Sequence, residues 1–358
     1  MKKVIVEAPG RICLFGEHQD YLKLDVIASA ISLKFRIIAT PRNDNIFKIS
    51  MPDIAQEINF IPSDVIVYEN KRDYLKAVVN ILKREYSFDF KKGYNFVFKS
   101  EIPINAGASS SSVMLVAWTK LLLYLFNHSD AFSEEKVANI AYRAEVVEFN
   151  EAGGMMDHYT SSIGGTLHII TKFDPIKYEK IDTNLNGFVL GNSLQPKDTV
   201  GVLKNLKSDV LKGVEKLKEY IPDFSFEKYK IEEVENVLSN LPEEYRIKIR
   251  ANLINHSLLK EALKLLNSRN FKPEELGKLL TEHHRWLRDG LKISTPKIEN
   301  MLERAIKAGA LGGKINGSGG GGTMFAYAPS NEKKVAKAIE EAGGKAYIIE
   351  ITSGAKIL

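Results

Sequence analysis

Four short stretches of this chain concentrate side chains that can bind or move charged groups. In the first, Ala8 to Tyr21, an apolar run ends in a loop that places Glu17, His18, Asp20 and Tyr21 within five positions. So dense a set of hydrogen-bonding groups suits a ligand that offers several hydroxyls. In the second, Gly107-Ala108-Ser109-Ser110-Ser111-Ser112 leads straight into the apolar stretch Val113 to Phe126. Small residues let backbone approach a ligand, the N–H groups opening a helix offer an anion site, and hydroxyls there can reach a phosphate oxygen or a cation. A flexible linker or an ordinary serine-capped helix fits the same residues. The spacing does not match the G-x-x-x-x-G-K-[ST] loop.

The third stretch carries two carboxylates. Glu145 falls in a helical pattern, and Gly153-Gly154 then turns the chain before Asp157. Phosphoryl transfer needs one carboxylate to hold a metal and often a second to orient the attacking hydroxyl, although surface carboxylates are common. The fourth, Lys314 to Thr323, has five glycines in the six positions 317–322. It reads as backbone packed against a loop or ligand, or as a long turn. His283 and His284 read as packing or capping groups, Cys13 as a core thiol between Ile12 and Leu14, and Trp118 as core.

These segments need elements to hold them. Short β-branched and aromatic runs predict strands at 4–6, 26–31, 35–39, 46–50, 65–68 and 94–98, with a helix over 72–86 whose Leu75, Val78, Val79 and Leu82 share one face. Further helices are predicted after the serine run and over 133–150, the latter opened by a Ser133-Glu134-Glu135 cap. Beyond Gly164-Gly165 two strand-like runs, 167–171 and 188–190, precede helical patterns at 202–220, 242–266, 273–289 and 296–308. Strands at 324–327 and 346–351 then flank a helix at 332–342. The division expected is 1–175 and 176–358, two α+β domains.

Composition narrows the function classes. With 50 basic and 45 acidic side chains the net charge is +5, spread along the chain, which argues against nucleic-acid binding. No window approaches the roughly 20 apolar residues of a membrane span. A single cysteine rules out an internal disulfide, and with no signal-peptide pattern the expected location is cytoplasmic.

Taken together and in this order, the four segments resemble the GHMP kinases, the group named for galactokinase, homoserine kinase, mevalonate kinase and phosphomevalonate kinase. The resemblance implies an α+β, two-domain fold, with an N-terminal mixed sheet with helices and a C-terminal ferredoxin-like domain. It implies ATP as phosphate donor, Mg2+, a small-molecule acceptor, and a monomer or homodimer. Pro9-Gly10-Arg11 and Gly16-Glu17-His18-Gln19-Asp20-Tyr21 are most similar to galactokinase and its N-acetylgalactosamine relatives. That likeness implies that Glu17, His18 and Asp20 bind sugar hydroxyls, with Tyr21 and Gly154 on the substrate wall. It also implies that Gly107, Ala108, Ser109, Ser110, Ser111 and Ser112 bind ATP phosphates, that Ser111 and Glu145 hold the metal, and that Asp157 faces the attacking hydroxyl beside Arg11.

The chain departs from galactokinase at three places. His158 stands where Gln follows the Asp, Leu22-Lys23-Leu24 stands where Asn-Gly-Gly follows Asp-Tyr, and residues 192–199 are closer to the mevalonate kinase type. Acceptors in play are a monosaccharide, phosphorylated to a sugar 1-phosphate, or mevalonate, a heptose, arabinose or a uronic acid. A silent sugar- and ATP-binding regulator is the reading from another class.

Overall fold

Apolar residues at most positions let the first strand and the first half of the second be buried on both faces, and the two form a long antiparallel pair. β1 (Val4–Phe15) and β2 (Val26–Pro41) are paired in a computed structural model that describes residues 3–62, 66–103, 107, 109–195 and 199–358. β1 therefore runs well past the expected strand at 4–6, and the two strands expected at 26–31 and 35–39 are one. Register shifts between Pro9 and Arg11 and between Cys13 and Phe15 bend β1 as it nears the acidic loop. β3 (Phe47–Met51), β4 (Gln56–Phe60) and β5 (Tyr94–Ser100) extend the sheet beyond β2, with β3 parallel to β5. The other half of β2 pairs with β6 (Thr166–Ile170), which pairs with β7 (Lys177–Ile181).

Four helices lie with this sheet: α1 (Tyr74–Tyr86), α2 (Ser110–Leu125), α3 (Glu134–Tyr142) and α4 (Met156–Ile163). α2 is apolar almost all round because it is the core of this half. Trp118 is fully buried, donates its indole N–H to Leu75 O at 3.1 Å, and stands edge-on to Phe47 and Phe96. Each such side chain contributes on the order of 1.5–3 kcal/mol by leaving water.

The structure departs from two expectations and adds one helix. Ile66 to Tyr68 form no strand, and Val65 lies outside the described residues. Ile66 O accepts from Asn80 of α1 at 2.8 Å and Tyr68 OH donates to Glu148 at 2.7 Å, so the segment is held by helices and not by a sheet. The helix expected over 133–150 does start at the Ser133 cap but widens at Arg143–Val147 into a π-type turn. α4, which carries Asp157 in its first turn, was not expected as a helix.

The second sheet comprises β8 (Phe188–Asn192), β9 (Gly312–Asn316), β10 (Thr323–Tyr327) and β11 (Lys345–Ile349), in the order β11-β8-β10-β9 and antiparallel throughout. Between its first two strands come α5 (Thr199–Lys218), α6 (Ile231–Leu238), α7 (Glu243–Leu266), α8 (Pro273–Asp289) and α9 (Pro296–Lys307), and α10 (Glu332–Glu341) precedes β11. The strand order 4-1-3-2 with helical crossovers is the ferredoxin-like arrangement. The β6–β7 hairpin carries the first sheet to Ile181, and the chain's end returns to it as β12 (Lys356–Ile357) beside β1. Among the described residues no helix is long and apolar enough to cross a membrane.

Candidate active site

Four of these elements end at one place. The loop after β1, the turn before α2, the π-type turn after α3 and the start of α4 meet the glycine-rich hairpin between β9 and β10 around a cavity of ≈ 230 Å³. Its lining includes Arg11, Glu17, His18, Asp20, Tyr21, Gly107, Ser109, Ser110, Ser111, Ser112, Glu145, Gly154 and Asp157. Every site residue singled out in the sequence is thus brought to one cavity, except Ala108, which lies outside the described residues.

At the centre stands an ion pair between a buried arginine and a half-buried aspartate. Arg11 Nε donates to Asp157 Oδ1 at 2.6 Å and Arg11 Nη2 to Oδ2 at 3.2 Å, a two-point grip, while Nη1 reaches Gly107 O at 2.9 Å. Ser109 donates to Asp157 Oδ2 at 2.5 Å from a left-handed backbone (φ 64°), a conformation that costs a non-glycine residue about 1–2 kcal/mol. Burial alone would raise the Asp157 pKa. The Arg11 charge, its hydrogen bond and that of Ser109 outweigh this and hold the carboxyl below its ordinary value.

Beside it the wide turn presents Glu145, and such bulges recur at functional sites. Glu145 Oε2 accepts from Ser112 Oγ at 2.6 Å and meets His158 Nε2 at 2.7 Å. Burial again pushes upward, but His158, Ser112 and Ser111 keep this carboxyl lowered and ionised. One ionised carboxylate with serine hydroxyls alongside fits a divalent cation that also takes phosphate oxygens.

The far wall is the acidic loop. Asp20 accepts from Tyr21 N at 2.9 Å and Met156 N at 3.3 Å, and burial, followed by the charge of Asp157, pushes its pKa up to about 6. Gly154 lies directly against this carboxylate, so that a Cβ there would come within 2.5 Å of both its oxygens. His18 Nδ1 meets Tyr21 OH and His18 Nε2 meets Ser318 O, each at 3.1 Å. Glu17 accepts from Lys314 Nζ at 2.7 Å, an ion pair between a fully buried lysine and a carboxylate 3% exposed.

His158, Lys314 and Ser318 escaped the sequence reading as site residues, as did Arg72, Tyr74 and Glu151 in the cavity's lining. The signals were there for some of them: His158 follows Asp157 directly, and Lys314 opens the glycine-rich segment. That segment is no loose turn. Asn316 donates to Gly107 O at 3.2 Å, and a Cβ on Gly317 (φ 80°) would lie 3.0 Å from Gly107 Cα. The residues read as structural are structural. Cys13 and Trp118 are buried, His283 stacks on Phe15 at 5.5 Å, and His284 bridges Glu299 at 2.8 Å and Ile315 N at 3.2 Å.

Comparison with known proteins agrees with this geometry. The family profile "GHMP kinases N terminal domain" matches residues 73–165 and "GHMP kinases C terminal" matches 259–347, together more than half of the chain. "Galactokinase galactose-binding signature" matches residues 1–41. The mevalonate kinase of Thermococcus gammatolerans is 28% identical over 360 residues, 98% of this chain and 96% of that protein. The galactokinase of Pasteurella multocida is 29% identical over 347 residues, 93% and 87% of the two chains. The structure of Lactococcus lactis galactokinase complexed with galactose superposes with a TM-score of 0.86 over 99% of this chain and 95% of that one, at 23% identity. The chain belongs to the GHMP kinase superfamily, carries its galactokinase-type signature, and is an ATP-dependent phosphotransferase with a hydroxyl acceptor.

Proposed function

We propose that this kinase acts on a monosaccharide in the manner of a galactokinase and releases a sugar 1-phosphate. One observation carries the reading. Glu17, Asp20 and Asp157 are set in the walls of the one cavity together with His18 and Tyr21. Hydroxyls can donate to such a wall, whereas an acceptor with its own carboxylate, such as mevalonate or a uronic acid, would add a like charge. Mevalonate is the second reading, favoured by the near full-length likeness to the Thermococcus enzyme.

In this mechanism ATP lies with its phosphates over residues 107–112 and transfer is direct and in line. Asp157 accepts a hydrogen bond from the acceptor hydroxyl and orients it. Its lowered pKa makes it a weak base, so it takes the proton late, as a loose transition state allows. Arg11 holds Asp157 in place and offsets charge on the transferring group. Glu145 and Ser111 would hold Mg2+, which supplies charge neutralisation of the phosphates. Ser112 and His158 fix the Glu145 carboxylate.

The test is coupled ADP release with Mg-ATP over D-galactose, N-acetylgalactosamine, other hexoses, arabinose, heptoses, uronic acids and mevalonate. Turnover on a hexose or its N-acetyl form is expected. Turnover on mevalonate alone would overturn the sugar reading, and ATP binding with silence across the panel would favour the regulator.

Acceptor use should depend on pH through Asp20. Protonated below about pH 6, Asp20 loses its charge and turns one oxygen into an O–H donor, which weakens its acceptance from acceptor hydroxyls. The acceptor kcat/KM is therefore expected to fall as pH drops through about 6, and Asp20→Asn to flatten that limb. A wild-type profile flat across that range would remove Asp20 from acceptor binding. Stability carries the opposite sign. The raised pKa gives a contribution that is full below about pH 4 and is lost as the pH rises through about 6.

A further inference from the structure

We propose that Lys314 is a positioning residue that sets Glu17 for the acceptor, through a latch in which β9 serves the acceptor and phosphate sides with different side chains. The proposal rests on the reading of Glu17 as an acceptor-binding group.

β9 belongs to the second sheet and β1 to the first, yet β9 grips the end of β1. Lys314 and Asn316, two positions apart, leave the strand on one face. Asn316 Oδ1 accepts from Cys13 N at 2.9 Å, and Lys314 Nζ donates to Cys13 O at 2.8 Å, so β9 side chains meet both backbone polar groups of Cys13. From there the two diverge. Lys314 Nζ reaches Glu17 Oε2 at 2.7 Å, on the acceptor wall. Asn316 Nδ2 reaches Gly107 O, the same oxygen that Arg11 Nη1 contacts, on the phosphate side.

The lysine is a costly choice for mere packing. Its ammonium is fully buried over the Phe325 ring, 5.3 Å from the centroid. Taking such a charge out of water is repaid only by good pairing, and an apolar chain of similar length would fill the space at lower cost. What an apolar chain cannot do is fix the rotamer of Glu17. With Lys314 bound to Oε2, that carboxylate is held at the cavity wall before any acceptor arrives, which is the preorganisation a polyol site needs.

The experiment compares Lys314→Met, Lys314→Arg and Asn316→Ala in steady-state kinetics with Mg-ATP and D-galactose, or whichever sugar of the panel wild type turns over. Lys314→Met is expected to raise the acceptor KM about ten- to a hundredfold, the scale of a misplaced charge-assisted hydrogen bond, with the ATP KM within about twofold. Lys314→Arg, which can still donate to both partners, should recover most of that. Asn316→Ala should fall instead on kcat and the ATP KM. Equal shifts in both KM values for both variants would mean a generally loosened hairpin and would overturn the proposal. If Lys314→Met does not fold, Glu17→Gln should reproduce the acceptor-specific KM, and an unchanged acceptor KM there would overturn it as well. A thermal-unfolding double-mutant cycle of Lys314→Met with Glu17→Gln decides the latch without any acceptor, because each substitution removes the pair and coupled residues give non-additive melting shifts. Additive shifts would sink the latch. Silence of wild type on every sugar would sink only the monosaccharide reading, with the cycle still deciding Lys314.

Discussion

Asp157→Asn is expected to lower kcat by about 10²-fold or more, with far less change in either KM. The substitution keeps the shape of the side chain but removes its charge and one acceptor oxygen. Asp157 spends both oxygens on its neighbours, Oδ1 on Arg11 and Oδ2 on Arg11 and Ser109. An amide nitrogen must replace one of them and face a donor, so Asn cannot keep the whole network. The loss falls mainly in the transition state, where the hydroxyl becomes more acidic and its hydrogen bond to a carboxylate strengthens. Arg11, only 4% exposed, is meanwhile left as a buried charge with no ionic partner at Asp157. Removing one member of such a pair typically costs about 3–5 kcal/mol, so the variant should also melt several degrees lower. Rates are to be compared well below that melting point. Ser109→Ala, which leaves the ion pair intact, is expected to cost no more than about tenfold. Near-wild-type kcat in Asp157→Asn would remove Asp157 from the reaction, and equal losses in both variants would assign the effect to the loop's geometry.

The readability of the site in the sequence follows from where its interactions lie along the chain. Glu17, His18, Asp20 and Tyr21 crowd one loop, and Gly107 to Ser112 crowd another, so local composition alone marks both as places for chemistry. Lys314 is marked only by its place at the head of the glycine-rich segment, because its partner Glu17 is 297 positions away and a lysine beside glycines reads as surface. The glycine-rich hairpin shows the same limit. Its glycines look like slack until Gly317 is found pressed on Gly107, a contact made only when the two sheets meet. Long helices such as α7 and α8 follow from periodicity almost to the residue. The π-type turn that presents Glu145 does not, since one widened turn shifts the apolar spacing by only a single residue. Ile66 to Tyr68 look like a strand by β-propensity, but their partners are Asn80 and Glu148 on helical segments, and tertiary context decides.

Gly154→Ala should nearly abolish acceptor use while Gly153→Ala does little, although the two substitutions are chemically identical and adjacent. A Cβ on Gly153 would meet only Val146 Cγ2, at 3.4 Å, an ordinary contact. A Cβ on Gly154 would sit inside the van der Waals surface of the Asp20 carboxylate. That carboxylate cannot simply step back, because its oxygens are tied to Tyr21 N and Met156 N and the residue is buried. Either Asp20 leaves its two backbone donors, or the turn that leads into α4 moves and carries Asp157 with it. Both routes damage the site. The first removes an acceptor-binding group, and the second misplaces the reacting carboxylate, where a shift of about 1 Å can cost 10²-fold. The expected result is an acceptor kcat/KM at least about 10²-fold below wild type for Gly154→Ala and within about threefold for Gly153→Ala, with Mg-ATP binding by calorimetry unchanged in both. If the acceptor KM alone rises, Asp20 has moved. If kcat falls as well, Asp157 has moved with it. Near-normal activity in Gly154→Ala would mean that the Asp20 carboxylate can yield without loss, and Asp20 would then have no part in holding the acceptor.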